Sequence, residues 1–166
     1  MSTHVVVGAA AEAAEGARRR SELGGRWMAI CRSVRAWAIE HPHEYGLIYG
    51  SPVPGYAAPT DTIDPATRVA ALLIQLLRDG LAAGLPVPDD PVPAKLRSSI
   101  APVVDGYAAD IPAPLMLRGM LAWSSLFGAI SFELFGHLHN VVDDHERYFD
   151  HQMAAMGRYV GFDVKG

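Results

Sequence analysis

Cysteine is all but missing from these 166 residues: Cys31 stands alone, so no disulfide can form within the chain. A reducing, cytoplasmic setting is therefore expected. Charge is scarce as well. Charged residues make up 19% of the chain, and 18 acids outnumber 14 bases, giving a net charge of −4 that excludes a broad cationic footprint for nucleic acid. No stretch alternates apolar and polar residues as a half-buried strand would, and no segment repeats. Nucleophile and phosphate motifs are absent too: there is no Gly-x-Ser-x-Gly, no glycine-rich phosphate loop, and no histidine close to Cys31 in sequence. Val5-Val6-Val7 follows Met1 without a basic segment, so no signal peptide is read.

What the chain does have is carbon. Half of its residues are hydrophobic, enough at this length for the core of one domain, and they recur at helical spacing. Trp27, Ile30, Cys31, Val34, Trp37 and Ala38 form one stripe from residue 26, which Pro42 stops at Glu40. Cys31 on that stripe is a small buried hydrophobe. A short aromatic helix is expected over 43–50, then a stiff proline-rich loop over 51–64 that carries Tyr56. Asp64-Pro65 is read as cap and first turn of the next helix, with Val69, Leu72, Leu73, Leu76, Leu77 and Leu81 on one face, ended by Gly84 and Pro86. A weaker helix over 95–110 is expected to be interrupted at Pro102. Asp143 and Glu146 have capping-box spacing for the last helix, striped by Phe149, Met153, Met156 and Val160. The fold class expected is all-α. One domain spans 26–166, and 1–25 is a lead-in arm or frayed helix in which Arg18-Arg19-Arg20 is a solvated charge run.

Residues 115–138 form the most apolar run. Arg118, Glu133 and three serines argue against a membrane span and for a soluble helix covered on both sides. Met116, Met120, Trp123, Phe127, Ile130 and Leu134 lie on one face. Leu121, Ala122, Ser125, Ala129, Phe132 and Gly136 lie on the other, where a second copy of the chain is the economical cover. The last helix joins it in an intermolecular four-helix bundle. A homodimer is thus expected, its interface made by Leu121, Ser125, Ala129, Phe132, Gly136, Phe149, Met153 and Met156.

Several segments together resemble one family. The run 36–56, with Glu40-His41-Pro42-His43-Glu44-Tyr45-Gly46 and Gly50-Ser51-Pro52-Val53-Pro54-Gly55-Tyr56, looks like the mid-region of TetR-type transcriptional regulators. Trp123-Ser124-Ser125-Leu126-Phe127-Gly128 resembles the Trp…His-Gly motif of their WHG-type C-terminal domain, with Phe127 in place of the histidine. Ile130 to Gly136 and Met156 to Gly161 match in kind and order. The resemblance implies a TetR-like C-terminal helical bundle that dimerises through its last two helices. It also implies a pocket for a small, mostly apolar effector between the helices starting near Arg26, Pro65 and Leu115. The residues expected to face that pocket are Trp27, Trp37, Tyr49, Tyr56, Met116, Met120, Trp123 and Phe127. Such regulators reach operator DNA through an N-terminal helix-turn-helix module, which these residues do not contain. A piece of a longer regulator and a stand-alone sensor are both open.

No cofactor, no membrane and no enzyme activity are expected. The alternatives from other classes are a plain dimerisation module and a helical-bundle metal enzyme. The latter would use the tail histidines and acids His137, His139, Asp143, Asp144, His145 and His151. The spacings disfavour the enzyme: there is no His-x₃-His, and the paired Glu-x-x-His signature of di-iron bundles is missing. Glu133 and His137, one turn apart, are expected to pair locally.

Overall fold

The computed structural model describes residues 3–50 and 63–165. Its elements are all helical: α1 (Thr3–Gly16), α2 (Leu23–Glu40), α3 (Pro42–Tyr49), α4 (Ile63–Ala82), α5 (Ala94–Tyr107), α6 (Ala113–Leu134) and α7 (His145–Val160). The stripe expected on α2 is the centre of the core, with Ile30, Cys31, Val34 and Ala38 fully buried. Ile30 and Val34, removed from water in this way, each contribute on the order of 1.5–3 kcal/mol. Burial pushes the Cys31 thiol well above its ordinary value, which keeps it protonated and inert. Pro42 occupies the first turn of α3, where its missing N–H costs nothing.

Four local expectations need correction. The first concerns residues 3–16, which are not a loose arm: α1 packs against α2 and α4, with Val7 and Ala11 buried. Second, α4 begins at Ile63, so Asp64 lies inside the helix instead of capping it, and α5 runs unbroken through Pro102. Third, α6 ends at Leu134, four residues early. Gly136 adopts φ 78°, the left-handed conformation that closes a helix, and the N–H of His137 reaches back to the carbonyl of Phe132 at 2.9 Å. Fourth, the cap of α7 is Asp144, whose carboxylate accepts from the Arg147 N–H at 2.9 Å; Asp143 is displaced by one position.

By length and composition α6 could cross a membrane. Here Leu115, Met116, Ala122, Leu126, Phe127, Ala129 and Ile130 are buried against the rest of the chain. Its two charges are paired. Arg118 grips Asp90 at 2.7 Å and the Tyr159 carbonyl at 2.8 Å, while Glu133 accepts a bidentate fork from Arg35 at 2.7 and 2.8 Å. Glu133 therefore pairs with α2 and not with His137, which lies past the helix end against Phe132.

One ion cluster holds α2 to its neighbours. Arg26, fully buried, donates to Glu15 of α1 at 2.6 Å, to Asp79 of α4 and to the Arg20 carbonyl at 3.0 Å. Burial alone would raise the Glu15 and Asp79 carboxyls. Hydrogen bonds from Arg20 and Arg26 to Glu15, and from Arg26 and Gln75 to Asp79, outweigh it and hold both below the usual range.

Candidate ligand pocket and contact face

A cavity of about 180 Å³ lies between α2, α4 and α6. Trp27 comes from α2; Ala70, Leu73, Ile74, Leu76 and Leu77 from α4; Met116, Gly119, Met120, Ala122 and Trp123 from α6. Val103 of α5, with Val160 and Phe162 at the end of α7, complete the wall. Phe162 is set there by Gly161, whose φ of 117° reverses the chain after α7 and turns Phe162 inward, 6.5 Å from the Trp27 ring. Val103 and Trp123 are 42% and 41% exposed and form the mouth.

Among the described residues no charged side chain lines this space. Its one hydrogen-bonding side-chain type is the Trp indole, and Trp27 Nε1 is already committed to the Met153 carbonyl at 2.6 Å. Apolar cavities of this size stay dry and accept apolar guests; an engineered one of roughly 150 Å³ takes benzene. The walls can therefore hold an uncharged ligand of about one ring.

The structure brings Trp27, Met116, Met120 and Trp123 together on this cavity and leaves three of the expected residues apart from it. Phe127, Tyr49 and Trp37 do not line it. Tyr49 stacks on Phe127 at 4.2 Å, and Phe127 meets Trp123 edge-on at 5.9 Å, so these rings back the cavity wall. Trp37 stacks on His41 at 5.4 Å. Two polar atoms here are buried without a hydrogen-bond partner among the described residues, Trp37 Nε1 and Tyr49 OH, and burial pushes the Tyr49 phenol up to about 12. Tyr56 lies outside the described residues. The resemblance implies that the helix near Pro65, α4, borders the pocket, but sequence singles out none of its wall residues and not Phe162; the leucine stripe of α4 is the available signal, and it does not say which stripe faces a void.

The proposed contact face divides in two. On α6, Leu121 and Phe132 are 48% and 56% exposed and Ser125 is partly so, while Gly136 is exposed in the turn just past the helix end. Together with the exposed Gly128, residues Leu121, Ser125 and Phe132 form one outward stripe of α6. Phe149 and Met153 do not belong to it. They are 2% and 1% exposed within a single chain, because α7 turns that stripe onto α2 and α6. Ala129 is likewise buried, and Met156 is half-buried. Exposed Tyr148 and Tyr159 are what α7 shows to solvent beside α6. Among the described residues no three of His, Cys, Asp and Glu converge as a metal-binding set.

The model of the family described as "Tetracyclin repressor-like, C-terminal domain" matches residues 27–156. This chain belongs to that family. The matched region of the tetracyclin repressor-like domain contains most of α2, all of α3, α4, α5 and α6, and most of α7, hence most of the cavity wall. Over 111 residues, 66% of the chain, it is 37% identical to HTH-type transcriptional regulator Rv1816 of Mycobacterium tuberculosis and to HTH-type transcriptional regulator Mb1846 of Mycobacterium bovis. The match spans 47% of those regulators, so the chain covers about half their length. The crystal structure of regulatory protein SCO4313 superposes with a TM-score of 0.65 at 26% identity, over 93% of this chain and 68% of that one.

Proposed function

We propose that this domain binds a small, uncharged, largely apolar effector in the cavity between α2, α4 and α6, and pairs with a second copy through the outward face of α6 and α7. The observation that carries this reading is a cavity with no charged lining residue among the described ones, inside a domain of this regulator family. Trp27, Met116, Met120 and Trp123 contact the effector; Phe127 and Tyr49 brace the Trp123 ring from behind. The exposed stripe Leu121, Ser125, Gly128 and Phe132, with Gly136 in the turn beyond it, supports pairing, since an apolar row of this kind on one chain is a natural contact surface. The relatives carry the description HTH-type transcriptional regulator. In that setting the domain reports effector binding to a DNA-reading module in the cytoplasm.

Isobutylbenzene titrated into the chain tests the first half. Saturable heat and a raised melting temperature are expected, and Ala70→Phe, which plugs the cavity from α4, should weaken binding at least about tenfold without lowering stability. No binding, with Ala70→Phe indistinguishable, would leave a dimerisation module only. Light scattering tests the second half. Leu121→Arg should convert a dimer to a monomer, because the guanidinium would be desolvated at the contact. A wild-type monomer at micromolar concentration would refute pairing.

A further inference from the structure

On the far side of α2 and α7 from the apolar cavity lies a cleft of about 700 Å³ with the opposite character. Arg18, Arg19, Arg32, Arg147, Arg158 and Lys165 line it, together with Glu22, Asp150 and Asp163. Six of the chain's 14 cations and three of its 18 acids are gathered here. That makes the cleft +3 while the rest of the sequence, eight cations against 15 acids, is −7.

The pairing within the cleft is incomplete. Arg19 is held by Glu22 at 2.8 Å, Arg32 by both oxygens of Asp150 at 2.8 and 2.9 Å, and Arg147 by Asp144 at 3.6 Å. The side chains of Arg18, Arg158 and Lys165 make no hydrogen bond or ion pair among the described residues, against one unpaired carboxylate, Asp163, and the imidazole of His151. Like charges converging on one hollow repel each other and raise the free energy of the empty state, and a multiply charged anion relieves that repulsion. The floor is apolar, with Met28 and Val164 both buried.

We propose that this cleft is a second ligand site, for a small molecule bearing two or more phosphate groups. Five of the six cations are arginines, whose planar forks match phosphate oxygens. The volume falls within the roughly 300–1,000 Å³ of small-molecule sites. An extended nucleic acid needs a continuous cationic track; here the positive field ends at the cleft, and the −7 remainder repels a long polyanion. The inference does not depend on the apolar pocket or on dimerisation.

Inorganic triphosphate titrated into the full chain by calorimetry, in about 50 mM NaCl where screening is weak, tests it. One saturable site per chain is expected. Orthophosphate should bind at least about tenfold more weakly, and raising NaCl to about 300 mM should weaken both. Arg18→Gln/Arg158→Gln/Lys165→Gln should reduce affinity at least about tenfold, whereas Lys95→Gln/Arg97→Gln on α5 should not. All five side chains are exposed, and circular dichroism melting checks that both variants keep the fold. Absence of saturable binding, or equal weakening in the α5 variant, overturns the proposal. So does a DNA duplex that displaces triphosphate at lower concentration than triphosphate itself binds, which assigns the cleft to nucleic acid.

Discussion

The apolar cavity and the cationic cleft lie back to back on α2 and α7, and Trp27 and Met28, neighbours in the chain, face one each. Successive helical residues point about 100° apart, so one helix can wall two hollows of opposite chemistry. The same alternation occurs at the end of α7: Val160 and Phe162 border the apolar side, Arg158, Asp163 and Val164 the cationic side. Trp27 of the apolar side and Val164 of the cationic side both approach Gly157. Gly157 is buried where a Cβ would come within 2.6 Å of Trp27 Cδ1 and 2.7 Å of Val164 Cγ2. The two hollows therefore differ in what they attract but depend on the same packing.

Removing the wall's anchor should have the largest effect. Arg26→Met removes the buried guanidinium that joins Glu15 to Asp79, leaves Glu15 only the exposed Arg20 as an ion-pair partner, and should cost about 3 kcal/mol of unfolding free energy, read by urea titration. A loss below 1 kcal/mol would mean that α1 is not held by this ion cluster. Thickening the wall comes next. Gly157→Ala forces Trp27 or Val164 to move and should cost about 1–3 kcal/mol; it should also disturb binding on both sides, whereas Ala70→Phe acts on the apolar side alone.

Acid tests the anchor without mutation. The carboxyls of Glu15 and Asp79 are lowered in the folded chain, so their contribution is present above the ordinary carboxylate range and is lost as pH falls through their folded values. The urea midpoint should therefore drop below about pH 4, and less steeply in Glu15→Gln. The smallest effect is expected away from the wall and has the opposite sign. Tyr49→Phe deletes a buried hydroxyl that has no partner among the described residues, and should stabilise the chain by about 1 kcal/mol.

Much of the apolar side was legible in sequence. The 3.6-residue period placed Trp27 on α2 and Met116, Met120 and Trp123 on one face of α6, and the structure gathers those four on a cavity. Period alone does not say which of two apolar faces meets solvent. For that reason Phe149 and Met153 were assigned to a contact between chains when they complete the core of one. The early end of α6 was not legible because Gly136 in an apolar run reads as a small packing residue until its φ is known. The cationic cleft was illegible for a different reason. It joins residues 18–32 to residues 147–165, and no local pattern marks Arg18 and Arg158 as facing the same hollow.

Helix α5 carries a kinetic consequence. Its apolar stripe runs Leu96, Ile100, Val103, Tyr107, yet only Ile100 is buried. Its flanks are tethered by Arg78 to the Tyr107 carbonyl and Asp110, and by Arg118 to Asp90. A helix so thinly packed unfolds locally at far lower free energy than the core, so its amide protons should exchange with deuterium well before those of α2. Since Val103 stands at the mouth of the apolar cavity, the rate of guest entry can be set by the fluctuation of this one helix while the shared wall of α2 and α7 stays closed.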